Sequence, residues 1–135
     1  MNYQLDNEEK QLLQMLETVN NTNNFVKKNA SATESIHTYN ASFDHNDARC
    51  SIIINKKGEL YFKAISLNVI FNKIEFRRTY HTHTTKWFGF AKTHHMNYNH
   101  PLVKAALKTY NLIMQTAEAV DKRNQKKFWE QLLNS

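Results

Sequence analysis

Glycine is nearly missing from this chain: its 135 residues include two, Gly58 and Gly89. Neither a Walker A loop nor a Rossmann fingerprint can be built from them, because both need clustered glycines where the backbone closes on phosphate. Nucleophile motifs based on Ser, Cys or Lys are absent as well, so a binding protein is expected rather than an enzyme. Cys50 is the only cysteine. That excludes an intramolecular disulfide and a cysteine-based zinc cage, and it fits a reducing compartment. No stretch approaches the ~18 apolar residues needed to span a bilayer. The first twenty residues carry Asp6, Glu8 and Glu9 where a signal peptide would have an apolar core, so a cytoplasmic location is expected. Asn20, Asn29 and Asn40 each open an Asn-x-Ser/Thr sequon, which without an export signal reads as chance in an asparagine-rich chain.

Acid is the third scarcity. Between Glu75 and Glu118 there is no carboxylate, whereas Arg77, Arg78, Lys86, Lys92, Lys104 and Lys108 fall there with five histidines. Residues 1–48 hold three lysines against seven acids, and residues 49–135 hold fifteen Lys and Arg against five, so the net +6 is concentrated in the C-terminal two-thirds. Such a segment attracts polyanions or an acidic protein face, in a salt-dependent way.

What remains is globular in character: 41% hydrophobic and 12% aromatic residues suit one domain over 1–135 with an aromatic core. Asp6 with Glu9 three residues later forms a capping-box start, and Leu12, Leu13, Leu16 and Val19 follow at helical spacing, predicting a helix over 7–19. The asparagine run from Asn20 to Asn24 then stops it, and 20–35 reads as a flexible connector. Between 36 and 92 the period becomes that of strands. Ile36–Ala41 alternates, Cys50–Ile54 is β-branched, and Lys56-Lys57-Gly58-Glu59 makes a hairpin turn before Leu60–Ile65. Further strands are predicted over 69–80 and 84–91. Residues 100–134 return to helix, with Asn99 or His100 as cap, Pro101 at the first position, and a break near 121–124. The fold class expected is α+β: an antiparallel sheet of four or five strands, or a small OB-like barrel, flanked by an N-terminal helix and one or two C-terminal helices.

Two short segments resemble known motifs. Lys86-Trp87-Phe88-Gly89-Phe90-Ala91-Lys92 resembles part of the RNP1 strand of RNA-recognition motifs, and Leu60-Tyr61-Phe62 is loosely similar to RNP2. This chain opens with a helix and reads as β over 66–85, unlike that family's order. The resemblance therefore implies bases stacking on a strand, and not that family's fold. His83-Thr84-Thr85 resembles one half of a 2H phosphoesterase motif, and no second copy follows.

The surface expected to bind nucleic acid, single-stranded DNA or RNA before duplex, comprises Arg77, Arg78, Lys86, Lys92, Lys104 and Lys108 for phosphates. Tyr61, Tyr80, Trp87, Phe88, Tyr98, Tyr110 and Trp129 are the candidates for stacking. Phe71, Phe76 and Phe128 are assigned to the core. No metal or cofactor is expected, since the histidines from His81 to His100 match no ligand spacing and have no carboxylate nearby to orient them. The alternative is a small inhibitor or adaptor of a phage or mobile element, docking on a host nucleic-acid enzyme. Self-association through the acidic N-terminal segment is also expected.

Overall fold

The structure, a computed structural model, describes residues 3–22, 30–66, 73–82, 95–115 and 133. Helix α1 (Asn7–Thr22) leads into strands β1 (Ser31–Glu34), β2 (Thr38–His45), β3 (Ala48–Asn55), β4 (Glu59–Ser66) and β5 (Lys73–Thr79). A second helix, α2, is described over 101–115. The five strands form one antiparallel sheet in the order β1-β2-β3-β4-β5, so every strand pairs with its neighbours in sequence. The sheet is open, with β1 and β5 at its edges among the described residues, and the barrel alternative falls.

Strand alternation sends Ala41 and Phe43, Cys50, Ile52 and Ile54, Leu60, Phe62 and Ala64, and Phe76 to one face, where all are buried. Both helices lie on that face. Leu12, Leu16 and Val19 of α1 and Leu102, Val103, Ala106, Tyr110 and Ile113 of α2 complete a single core. Each large side chain buried there contributes about 1.5–3 kcal/mol. A buried polar joint ties the helices together: Asn20 Nδ2 donates to the Ala105 carbonyl at 3.1 Å and Thr109 Oγ1 donates to Asn20 Oδ1 at 2.6 Å. Among the described residues no buried side-chain nitrogen or oxygen lacks a partner.

Several boundaries differ from those expected, each for a local reason. The asparagine run does not stop α1 at residue 19. Asn20 is buried against α2, and the helix continues to Thr22, whose hydroxyl donates to the Val19 carbonyl at 3.1 Å. A residue so enclosed is no glycan acceptor. The predicted connector contains the edge strand β1. β2 begins at Thr38 because Ser35 Oγ accepts from the Thr38 and His37 amides at 3.0 and 3.3 Å, which folds 35–37 into a turn. An unforeseen hairpin joins β2 to β3 through Asn46 and Asp47, both at positive φ (48° and 57°), the left-handed pair that suits a two-residue turn. The strand predicted over 84–91 and the helix beyond 115 lie outside the described residues.

The β3–β4 turn holds as expected, with Asn55 Oδ1 accepting from the Lys57 amide at 2.8 Å and the Asn55 carbonyl accepting from Gly58 N at 2.9 Å. Gly58 has φ +127°, and a Cβ there would lie 2.3 Å from His81 Nδ1. Gly58→Ala is expected to cost on the order of 1–3 kcal/mol, from backbone strain at positive φ and from the displacement of the His81 ring that a Cβ would force. A urea midpoint equal to wild type would contradict this.

Candidate functional site

The densest chemistry in the structure is a polar cluster where α1, the end of β5 and α2 converge. Asp6 and Glu9 form the reciprocal capping box: Glu9 N donates to Asp6 Oδ1 at 2.9 Å and Asp6 N donates to Glu9 Oε1 at 3.1 Å. Arg78 reaches across from β5 to Asp6, to Glu8 Oε2 at 3.1 Å and to Glu9 Oε1 at 3.2 Å. Tyr80 donates its hydroxyl to Glu9 Oε2 at 2.7 Å, and His100 Nε2 lies 3.7 Å from the same oxygen. His100 also caps α2: its Nδ1 accepts from the Leu102 amide at 3.1 Å. The imidazole therefore carries its proton on Nε2, facing Glu9. Tyr80 and Tyr3 pack on the His100 ring, at centroid distances of 4.3 and 4.9 Å.

Titration in this cluster follows from burial and partners. The Glu9 amide, with the Arg78 guanidinium behind it, holds the Asp6 carboxyl below its ordinary value. Burial, reinforced by the hydrogen bond to Glu9, pushes the Tyr80 phenol well up. Burial also lowers the basicity of His100 and outweighs the opposing pull of Glu9. The cluster joins three elements. Arg78 and Tyr80, expected at a nucleic-acid surface, are half-buried here and bonded to the acidic start of α1.

The other expected residues are distributed over separate surfaces. Tyr110, expected to stack on bases, is 4% exposed and packs edge-on against Tyr39 with centroids 5.0 Å apart, so the structure places it in the core. Tyr61 and Arg77 lie side by side on the outer sheet face, the guanidinium 4.8 Å from the ring centroid. That face is close to neutral, because Arg49 pairs with Asp44, Lys73 with Glu75 and Arg77 with Glu59. Lys104 and Lys108 are exposed on α2, beside a groove of about 290 Å³ that Glu17 also lines. Lys86, Trp87, Phe88, Lys92 and Trp129 lie outside the described residues, as do Phe71 and Phe128.

One end of the sheet collects Lys56, Lys57, His37 and Tyr39, which the sequence did not single out, with Tyr98, which it did. Lys56 sits 4.5 Å over the Tyr39 ring while donating to Glu34 at 2.7 Å and to the Ser35 carbonyl at 2.9 Å. Tyr98 joins this group, its phenol pushed up by burial and by proximity to Tyr39. Around them Lys57, His37, His81 and His95 are exposed. The chain leaves and re-enters here along a short ladder: Thr82 N donates to the His95 carbonyl at 2.9 Å, Asn97 N to Tyr80 O at 2.8 Å, and Met96 N to Lys56 O at 3.0 Å. Both ends of the stretch 83–94 are thus fastened to this tip. Among the described residues no group of three His, Cys, Asp or Glu is placed to hold a metal ion, and no helix is long and apolar enough to cross a membrane.

Compared with family models, curated proteins and solved structures, the chain matches none. Its chemistry rests on its own geometry.

Two outcomes follow for the cluster. Glu9→Ala removes the shared acceptor and leaves the Tyr80 hydroxyl and the Asp6 amide without it, while Arg78 keeps Asp6 and Glu8, and a loss of about 2–3 kcal/mol in urea unfolding is expected. For His100 the sign is set by the lowered basicity: the unfolded chain takes up the proton first, so stability is full above 6.5 and falls as the pH drops below it. His100→Asn, which keeps a capping oxygen but does not titrate, should flatten that part of the profile. Chemical unfolding at stepped pH would show an unchanged slope if His100 were not its source.

Proposed function

We propose that this chain binds single-stranded nucleic acid, without base-specific readout, at the sheet tip. Support comes above all from one observation: the ladder of 80–82 with 95–97 ties both ends of the basic, aromatic stretch to the end of the sheet where Lys57, His37, His81, His95 and Tyr98 are exposed. The intervening residues contribute Lys86, Lys92, Trp87 and Phe88. Cations that neutralise phosphates and rings that accept stacked bases are what a single strand needs, and neither depends on sequence. Tyr98 is 39% exposed, enough to present part of a ring. On this proposal the protein is a cytoplasmic binding protein and not an enzyme.

A second reading has one observation in its favour. Ile36, 85% exposed, follows Ser35, whose carbonyl accepts from Lys56 at the same tip, and an exposed apolar residue close to a lysine also suits docking on an acidic protein face, as an inhibitor or adaptor would.

A labelled oligothymidylate titration separates them. Binding should be measurable at about 50 mM salt and weaken steeply by about 200 mM, with a log–log slope of about −0.7 per phosphate contacted. Lys57→Glu should weaken it, whereas Lys104→Glu, on the helical layer, should not. No binding at the lower salt would remove the proposal, and a nuclease-resistant protein partner lost on Ile36→Asp would establish the second reading.

A further inference from the structure

We propose that β5 is a self-pairing edge, through which two copies of this chain join antiparallel about a twofold axis at Phe76. Among the described residues β5 pairs with β4 alone, so within them the backbone groups on its other side have no strand partner, the usual template for strand addition. Three cations along a strand ordinarily discourage such pairing. Here they are interrupted by Glu75, and the interruption is self-complementary.

The axis position follows from the strand itself. Lys73, Glu75, Arg77 and Thr79 face the outer side, and Ile74, Phe76 and Arg78 the helical side. A continuous sheet keeps faces matched, so outward residues meet outward residues. Overlap of all seven residues centres the axis on Phe76 and sets Glu75 opposite the partner's Arg77, twice. An axis at Glu75 would set two carboxylates face to face, and an axis at Arg77 two guanidinium groups. Opposite charges directly across a strand pair stabilise it and like charges oppose it, so the charges favour the Phe76 axis over the two adjacent ones, and full overlap of the strands sets it apart from the rest.

The helical side offers apolar surface to the same axis. A groove of about 540 Å³ opens between α1 and the β4–β5 edge, lined by Leu12, Met15, Phe62, Ala64, Ile74 and Phe76 among others. Ile74 is 60% exposed at its rim. Pairing about Phe76 brings two such grooves together beneath a ten-stranded sheet and removes both Ile74 side chains from water. The segment the sequence marked for self-association, α1, is docked on its own sheet through Leu12, Leu16 and Val19, and it enters this contact only as a groove wall. The proposal is independent of what the tip binds.

Sedimentation velocity over a micromolar concentration series tests it, using the full chain with Glu75→Arg and Arg77→Glu made separately. Wild type should be a dimer, and each variant should dissociate at least about tenfold more readily, since each reverses two cross-strand pairs. An equimolar mixture of the two variants should form a heterodimer. In it the introduced arginine faces the introduced glutamate at one site, and the native Arg77 of one copy faces the native Glu75 of the other at the second. The double variant E75R/R77E should dimerise alone. Thermal melts confirm folding, and native mass spectrometry identifies the mixed species. A wild type that stays monomeric throughout, variants as dimeric as wild type, or a mixture that stays unassociated would each overturn the proposal.

Discussion

A carboxylate that three elements share sets the arrangement of this protein. Glu9 closes the first turn of α1, takes the Tyr80 hydroxyl and the Arg78 guanidinium from the end of β5, and faces the imidazole that starts α2. A charge so enclosed is costly unless every oxygen finds a donor, and here each does. The helices reach the sheet at angles and heights that let all three meet this group. The Asn20–Thr109 joint then fastens the far end of α1 to α2, which leaves little freedom between the layers.

This constraint also redistributes charge. Arg78 is spent on the N-terminal turn of α1, so part of the acidic first third neutralises part of the basic remainder within the same molecule. On the outer sheet face three cations have carboxylate partners and Lys63 lies opposite Glu75, which pairs with Lys73. Among the described residues of the C-terminal two-thirds the exposed Lys57 of the tip and Lys104 and Lys108 of α2 remain, a narrower distribution than a count along the chain suggests.

Much of the fold could be read from the residues, because local chemistry decides it: the Asp6–Glu9 box, the Asn55–Gly58 turn, and Pro101 beginning α2. The hairpin at Asn46–Asp47 went unread, although its signal was two residues tolerant of positive φ between an aromatic and a β-branched run. The candidate site was less so, although parity carried the information. Once Phe76 is inside, Arg78 and Tyr80 must share its face, two and four residues on. Tyr110 likewise falls on the same helical stripe as Val103, Ala106 and Ile113. What single residues could not convey is the long-range meeting of Glu9 with Tyr80 and His100, which depends on how a helix lies across a sheet.

The sheet's plain up-and-down order bears on how the chain reaches this state. Each strand finds its partner a hairpin away, so most backbone pairing closes short loops and little entropy is lost before contacts form. The contacts of the N-terminal segment with α2 and its approach span most of the chain, the Asn20–Thr109 bond closing 89 residues of sequence and the Asn97–Tyr3 bond 94. The sheet is thus of the low-contact-order kind that forms quickly, whereas the helical cover of its apolar face depends on the meeting of the two ends of the chain.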